Sequence, residues 1–459
     1  FKQKTAYEIR LSLVGSEMCI RDSHWTAHTP RFHPSDFRVK SLDGVADDWP
    51  ISYWDIEKYY DINDEMMGCS GIDGDPANPP KSKRQMPPLP LGPDGERIAK
   101  AADRLGWHWW PSDSYQASED YKGRVGWNNH GTFASKKKWQ SIASTDHTYI
   151  NPAIKNGLEV RANCVVQSIS VDNSGKLKGV VYLDDKGVQY FQEAGKVIVA
   201  CNGIGTPRLL LNSKSKAFPD GLANTSGLVG KNLMFHPYAA VSGIFHGDDL
   251  NYSLGPLANI IIVQEFYETD ESRNFVRGYS FQMNRSHGPA HTALGAGGAG
   301  KIVPWGKDHH SEFKKRFKKF LGLAVISEDL PELHNRVELD EKLTDRHGIP
   351  LPKVFYKTSE NTRKLLDHGI DSAKKLLEEA GCYETNVVPT LESAGWHLMG
   401  TAKMGNDPKT SVVDANCKTH DVDNLYIIDG SVFTTSAAVN PTPTIQAVAL
   451  RAADKILQG

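Results

Sequence analysis

The run KVIVACNGIGTPRLLLNS, residues 196–213, constrains the fold most. It reads as a buried strand, a glycine turn, and a helix predicted to start near Thr206-Pro207. A second run, NLYIIDGSVF, reads as a buried strand ending in Asp429-Gly430. It leads to a final helix with Thr442 as N-cap and Pro443 in the first position. Buried strands that feed helices belong in α/β architectures. A chain of 459 residues is long enough for two or three packed layers or domains.

Elsewhere the pattern is mixed. DDWPISYWDIEKYY predicts a helix opened by Ser52, with Ile56, Tyr59 and Tyr60 on one face. Gly71 to Pro93 is rich in Pro, Gly and Asp and reads as a loop or lid. Glu96 to Leu105 reads as a short helix. From Leu158 onward, LEVRANCVVQSISVD, KGVVYLD and QYFQEAGKVIVAC predict short strands. Ser359 caps a helix in which Leu365, Leu366, Ile370, Ala373, Leu376, Leu377 and Ala380 recur at helical spacing until Gly381.

Composition excludes several classes. At 39% hydrophobic and 24% charged residues, a sizeable core is available. A net charge of −2 leaves no electrostatic footprint for nucleic acid or an anionic membrane surface. Lys314, Lys315, Arg316, Lys318 and Lys319 alternate with Phe313, Phe317 and Phe320, as on the solvated face of an amphipathic helix. No stretch approaches the roughly 20 apolar residues of a membrane span. None of the six cysteines forms a CxxC pair, so no zinc ribbon or iron–sulfur ligand set is suggested.

Two short motifs invite over-reading. Gly295, Gly297 and Gly300 fit G-x-G-x-x-G, but no strand precedes them and no helix follows, so a loop is the better reading. His287 with His291, and His309 with His310, lack a third metal ligand. The C-terminal third differs. GWHLMGTAKMG sets His397 among small residues; a strand-end acid, Asp429, follows; then VNPTPTIQAVAL places Asn440 just before a helix N-terminus. Singly, a core histidine and a capping asparagine are ordinary. Their joint order and spacing are not.

This set resembles the C-terminal signature of the glucose–methanol–choline (GMC) oxidoreductases, most like bacterial flavin-dependent alcohol and sugar dehydrogenases and more distantly pyranose oxidase. HWTAHTPRFHPSDF, CNGIGTPRLLLNS and GLVGKNLMFHPYA extend the resemblance over nearly all of His24 to Leu457. It implies an α/β chain, α+β overall, with a discontinuous FAD-binding Rossmann-like domain beside a substrate domain of antiparallel sheet and helices. The implied FAD segments are 24–60, 140–237 and 395–459, with a lid region at 61–139 and a substrate domain at 238–394. The resemblance implies His397 and Asn440 as catalytic residues. It implies cofactor contacts at His24, Trp25, Val166, Gly203, Gly205, Asp429, Gly430, Pro441 and Thr442. The implied reaction removes a hydroxyl proton and passes hydride to the flavin N5 of FAD. The substrate is a small alcohol, polyol or sugar, and a quinone, a cytochrome or oxygen receives the electrons.

Two departures stand beside it. Residues 1–23 resemble a non-native leader, so the family's first βαβ unit with its G-x-G-x-x-G turn is expected to be missing. WNNHGTFASKKKWQSIASTD also lacks the cysteines that some relatives carry. Two alternatives therefore stay open: an inactive truncated chain that binds no FAD, and a nicotinamide-dependent dehydrogenase that uses the glycine motif.

Overall fold

The computed structural model describes residues 25–127, 140–247, 250, 260–284, 289–294, 302–391, 395 and 397–458. The leader at 1–23, His24, His287 and the glycines at 295, 297 and 300 lie outside the described residues, as does the side chain of His291. After two short helical segments at Pro34–Phe37 and Val39–Asp43 come the longer helices α1 (Tyr53–Met67) and α2 (Gly92–Leu105). At the start of α1 the Asp55 carboxylate accepts the Ser52 backbone N–H at 2.7 Å, and Ile56, Tyr59 and Tyr60 are buried. Helix α2 begins a turn earlier than its apolar pattern suggests, because Pro93 fits a first helical turn.

Strands β1 (Trp110–Pro111), β2 (Val165–Val171), β3 (Leu177–Leu183), β4 (Gln189–Glu193) and β5 (Val197–Val199) lead to helix α3 (Asn202–Asn212). Then come β6 (Tyr238–Phe245), β7 (Ile261–Val263), β8 (Tyr279–Asn284), β9 (Phe320–Ser327), β10 (Arg336–Thr344) and β11 (Pro350–Phe355). Helix α4 (Glu360–Glu379), β12 (Cys382–Val388), β13 (Leu425–Ile427) and α5 (Thr442–Gln458) complete the principal elements.

Among the described residues β5 and β13 pair in parallel, and β2, β3 and β4 form an antiparallel sheet. A larger antiparallel sheet runs β1-β7-β8-β9-β6-β12. Its strands β6 and β9 are buried at every position, so they show no alternation. Helix α4 covers one face of that sheet, with α2 packed beside it. Ser359 Oγ caps α4 by accepting the Thr362 N–H at 3.0 Å, and the predicted apolar stripe is buried.

A separate core joins α1, the β5–β13 pair and α5. Three side-chain bonds clasp α5 to α1: Tyr60 to Thr444 at 2.6 Å, Asn63 to Gln446 at 2.8 Å and Tyr59 to Asp454 at 2.8 Å.

Three boundaries differ from expectation. The basic run is helical only over His309–Arg316, because Phe320 already opens β9. Helix α5 starts at Thr442 itself, with the Ile445 N–H donating to the Pro441 carbonyl at 2.9 Å. Helix α3 begins at Asn202, so Gly203 and Gly205 lie in a helix and not in a turn, and Pro207 sits inside it. Proline removes the N–H that would bond the carbonyl four residues back. That carbonyl belongs to Gly203, and the Thr401 hydroxyl donates to it at 2.8 Å.

Candidate active site

The carboxyl ends of parallel strands are where open α/β sheets bind ligands. At that end of β5 and β13 the two segments are joined through Asp429. Its Oδ2 accepts the Asn202 N–H at 3.0 Å and the Thr206 hydroxyl at 2.6 Å, and its Oδ1 accepts the Ser431 N–H at 2.7 Å. Burial nevertheless raises the carboxyl above its ordinary pKa, since the three donors offset only part of the desolvation.

The backbone of Leu398 and Met399 passes between Gly203 and Gly430. A Cβ on Gly203 would stand 2.7 Å from the Leu398 carbonyl carbon and 2.9 Å from the Met399 nitrogen. One on Gly430 would stand 2.8 Å from the Leu398 oxygen. Both positions exclude any side chain because the obstacle is backbone. Gly203→Ala is therefore expected to lower the flavin retained per chain at least about tenfold and to cost about 1–3 kcal/mol of stability. The ratio of flavin to protein absorbance in the purified variant checks this, and an unchanged ratio would show that the approach is not limiting.

His397 follows from that backbone, one residue before Leu398. Its Nε2 is 3.5 Å from Asn440 Nδ2, so the two predicted catalytic residues meet. Gln282 of β8 donates its amide N–H to Asn440 Oδ1 and so turns the Asn440 NH2 toward His397. On the other side, His397 Nδ1 lies 2.6 Å from Nδ1 of His236. His236 is fully buried, and its Nε2 lies 3.0 Å from the Ser436 carbonyl and 2.8 Å from that of Ala437. Ser280 Oγ donates to the Ala438 carbonyl at 2.7 Å, tying the segment before Asn440 to the large sheet.

The sequence reading missed His236, Ser280 and Gln282. His236 stands in a quoted motif, but its partner is 161 residues away and no local periodicity marks it.

Other predicted contacts stand apart. Val166 is in β2 and 42% exposed. Its strand is tied to α3 through Ser213 Oγ, which accepts the Ile169 N–H at 2.9 Å. Trp25 is half-buried; its Nε1 donates to the Ala143 carbonyl at 3.0 Å and its ring meets Tyr115 edge-on.

Three polar atoms around the strand ends and the first turns of α5 are buried without a hydrogen-bond partner: Asn202 Nδ2, Ser431 Oγ and Gln446 Nε2. Leaving such atoms unpaired costs about 1–3 kcal/mol each. The oxygen-rich chain of a flavin dinucleotide offers the acceptors they lack, so the residues present fit FAD.

Strand ends fitted to a dinucleotide, beside a histidine–asparagine pair, are the arrangement of a cofactor-dependent oxidoreductase. Comparison with known proteins agrees. GMC oxidoreductase family profiles match residues 45–238 and 331–449. The 2-methyl-1,2-propanediol dehydrogenase of Mycolicibacterium austroafricanum is 40% identical over 438 residues, covering 94% of this chain and 79% of the relative. The fructose dehydrogenase large subunit of Gluconobacter japonicus is 29% identical, covering 95% and 79%. The fold is also that of pyridoxine 4-oxidase from Mesorbium loti, with a TM-score of 0.62 at 14% identity over 94% of this chain and 82% of that one.

The chain belongs to the GMC oxidoreductase family. The cofactor of that family is FAD.

Proposed function

We propose that this protein oxidises a CH–OH group of a small alcohol, polyol or sugar, with His397 taking the hydroxyl proton. The observation that carries the reading is the meeting of His397 Nε2 and Asn440 Nδ2, 43 residues apart in sequence, at 3.5 Å. That separation is too long for a strong direct hydrogen bond. A substrate hydroxyl within reach of both atoms donates its proton to His397 Nε2 and accepts from the Asn440 amide. General-base removal of that proton contributes roughly 10²–10⁴-fold. Asn440 holds the oxygen in line, since Gln282 keeps its amide nitrogen facing the site.

FAD, when bound, would supply the hydride acceptor for the carbon that loses its hydroxyl proton. The residues that would hold it are Gly203, Gly205, Asp429, Gly430, Pro441 and Thr442, together with Val166 and Trp25, and His24, which lies outside the described residues. The first turn of α5 directs unpaired N–H groups and a positive dipole end away from the helix, which favours negative charge there. We assign residues 24–60, 140–237 and 395–459 to FAD binding, 61–139 to a lid and 238–394 to the substrate domain. Support for the last is β8, which delivers Gln282 to the site.

Two relatives are named for a small diol and for fructose, which motivates polyhydroxylated substrates. Anaerobic mixing of the FAD-loaded protein with 2-methyl-1,2-propanediol, short polyols and fructose is expected to bleach the flavin band with at least one of them. No bleaching by any CH–OH compound would sink the proposal. A purified chain without flavin would favour the inactive alternative, and NAD reduction without flavin the nicotinamide one. Reoxidation by oxygen, a quinone or a cytochrome then identifies the electron acceptor.

A further inference from the structure

We propose that His236 is a positioning residue: it fixes the ring proton of His397 on Nδ1 and leaves Nε2 as the basic atom facing Asn440. The inference rests on the reading of His397 as the base, and it follows from hydrogen-bond direction. Nε2 of His236 faces two backbone carbonyls, at 3.0 Å and 2.8 Å, and a carbonyl only accepts. Nε2 is therefore the N–H. Burial pushes the pKa of His236 down to about 4, so the ring is neutral near neutral pH and Nδ1 carries a lone pair. The 2.6 Å contact between the two Nδ1 atoms then needs its hydrogen from His397. A neutral His397 protonated on Nδ1 has its lone pair on Nε2, the atom 3.5 Å from Asn440.

The backbone is shaped for this. Ala437 has φ of 56°, a left-handed conformation unfavourable for a residue with a Cβ. The turn at Ala437 accompanies the convergence of two successive carbonyls on one nitrogen. Such outliers persist where the surroundings over-determine them. Here the Ser436 hydroxyl donates to the Asp329 carbonyl at 2.9 Å and Ser280 holds the Ala438 carbonyl. The cage for His236 and the substrate-facing Asn440 thus sit on one anchored segment, Ser436 to Asn440.

The proton balance is simple. The alcohol O–H bond breaks and an N–H bond forms at His397 Nε2, giving an imidazolium that keeps its Nδ1–H bond to His236. Charge strengthens that bond. The proton does not move on to His236, where the cation would be fully desolvated.

Two substitutions and one spectrum test this. His236→Phe keeps a buried ring but removes the acceptor, and the rate of flavin reduction per bound FAD is expected to fall about 10²-fold. His236→Asn places an oxygen where Nδ1 stood and is expected to recover at least about tenfold of that loss. Nitrogen-15 histidine spectra of the FAD-loaded wild type are expected to show His397 unprotonated at Nε2. An Nε2–H tautomer, or reduction by His236→Phe within about twofold of wild type, would overturn the proposal. Should His236→Phe fail to fold, the wild-type spectrum decides alone. Normal reduction by His397→Ala would instead defeat the reading of His397 as base, whatever tautomer the spectrum shows.

Discussion

His397→Ala should retain its FAD and lose flavin reduction by alcohol by about 10²–10⁴-fold, equivalent to roughly 3–5 kcal/mol of barrier. The backbone around His397 does not depend on the imidazole. The Met234 and Met399 N–H groups donate to each other's carbonyls at 3.0 and 3.1 Å, and the Gly400 N–H donates to Gly430 at 3.1 Å. Truncation at Cβ therefore leaves Leu398 and Met399 between Gly203 and Gly430. What disappears is Nε2 beside Asn440, which the proposed function makes the acceptor of the hydroxyl proton. On the proposed reading the loss should fall on the limiting reduction rate more than on the substrate concentration needed for half of it, because Asn440, oriented by Gln282, is still present to hold the substrate oxygen. Stopped-flow reduction of the flavin under anaerobic conditions separates the two. A variant that reduces its flavin within about threefold of wild type would remove His397 from the chemistry.

The parts of this structure that sequence reveals are the locally determined ones. Helix α1 was legible from Ser52 and a stripe of aromatic residues, and α4 from Ser359 and seven apolar positions, because cap and periodicity lie within one segment. His397 and Asn440 were legible only as a family motif; nothing local in GWHLMGTAKMG says that its histidine faces an asparagine 43 residues on. Helix α3 was misread where tertiary contacts override propensity. Glycines and a proline signal a turn, yet Asp429 binds Asn202 and Thr206 while Thr401 satisfies the carbonyl that Pro207 leaves free. His236 was invisible as a functional group for the same reason. Its meaning lies in Ser436 and Ala437, some 200 residues away.

Arg277→Met should destabilise the protein by about 3–5 kcal/mol, because it removes the guanidinium that pairs with the buried carboxylates of Asp36 and Glu328. Arg277 is 1% exposed. It binds Asp36, donates from Nε to Glu328 at 2.9 Å and lies 3.2 Å from Asp43. Asp36 and Glu328 are themselves buried, and burial raises both carboxyl groups even beside the guanidinium, Asp36 to about 7. The Asp36 carbonyl also accepts the Thr435 hydroxyl at 2.7 Å, next to the carbonyls that hold His236. Methionine keeps most of the side-chain volume, so the cost comes from charge and not from a cavity. The sign of the pH dependence follows from the raised values. A carboxyl whose folded pKa exceeds its unfolded one binds its proton more tightly in the folded state, so stability falls as pH rises from about 4 toward 7. Without Arg277 both values climb further, and the window of loss extends upward. The deficit against wild type should therefore be small near pH 5 and largest near pH 8, and adding Asp36→Asn and Glu328→Gln should recover part of it. Thermal unfolding of the FAD-loaded proteins at the two pH values provides the measurement. A deficit independent of pH would mean that lost packing, and not two bare carboxylates, sets the cost.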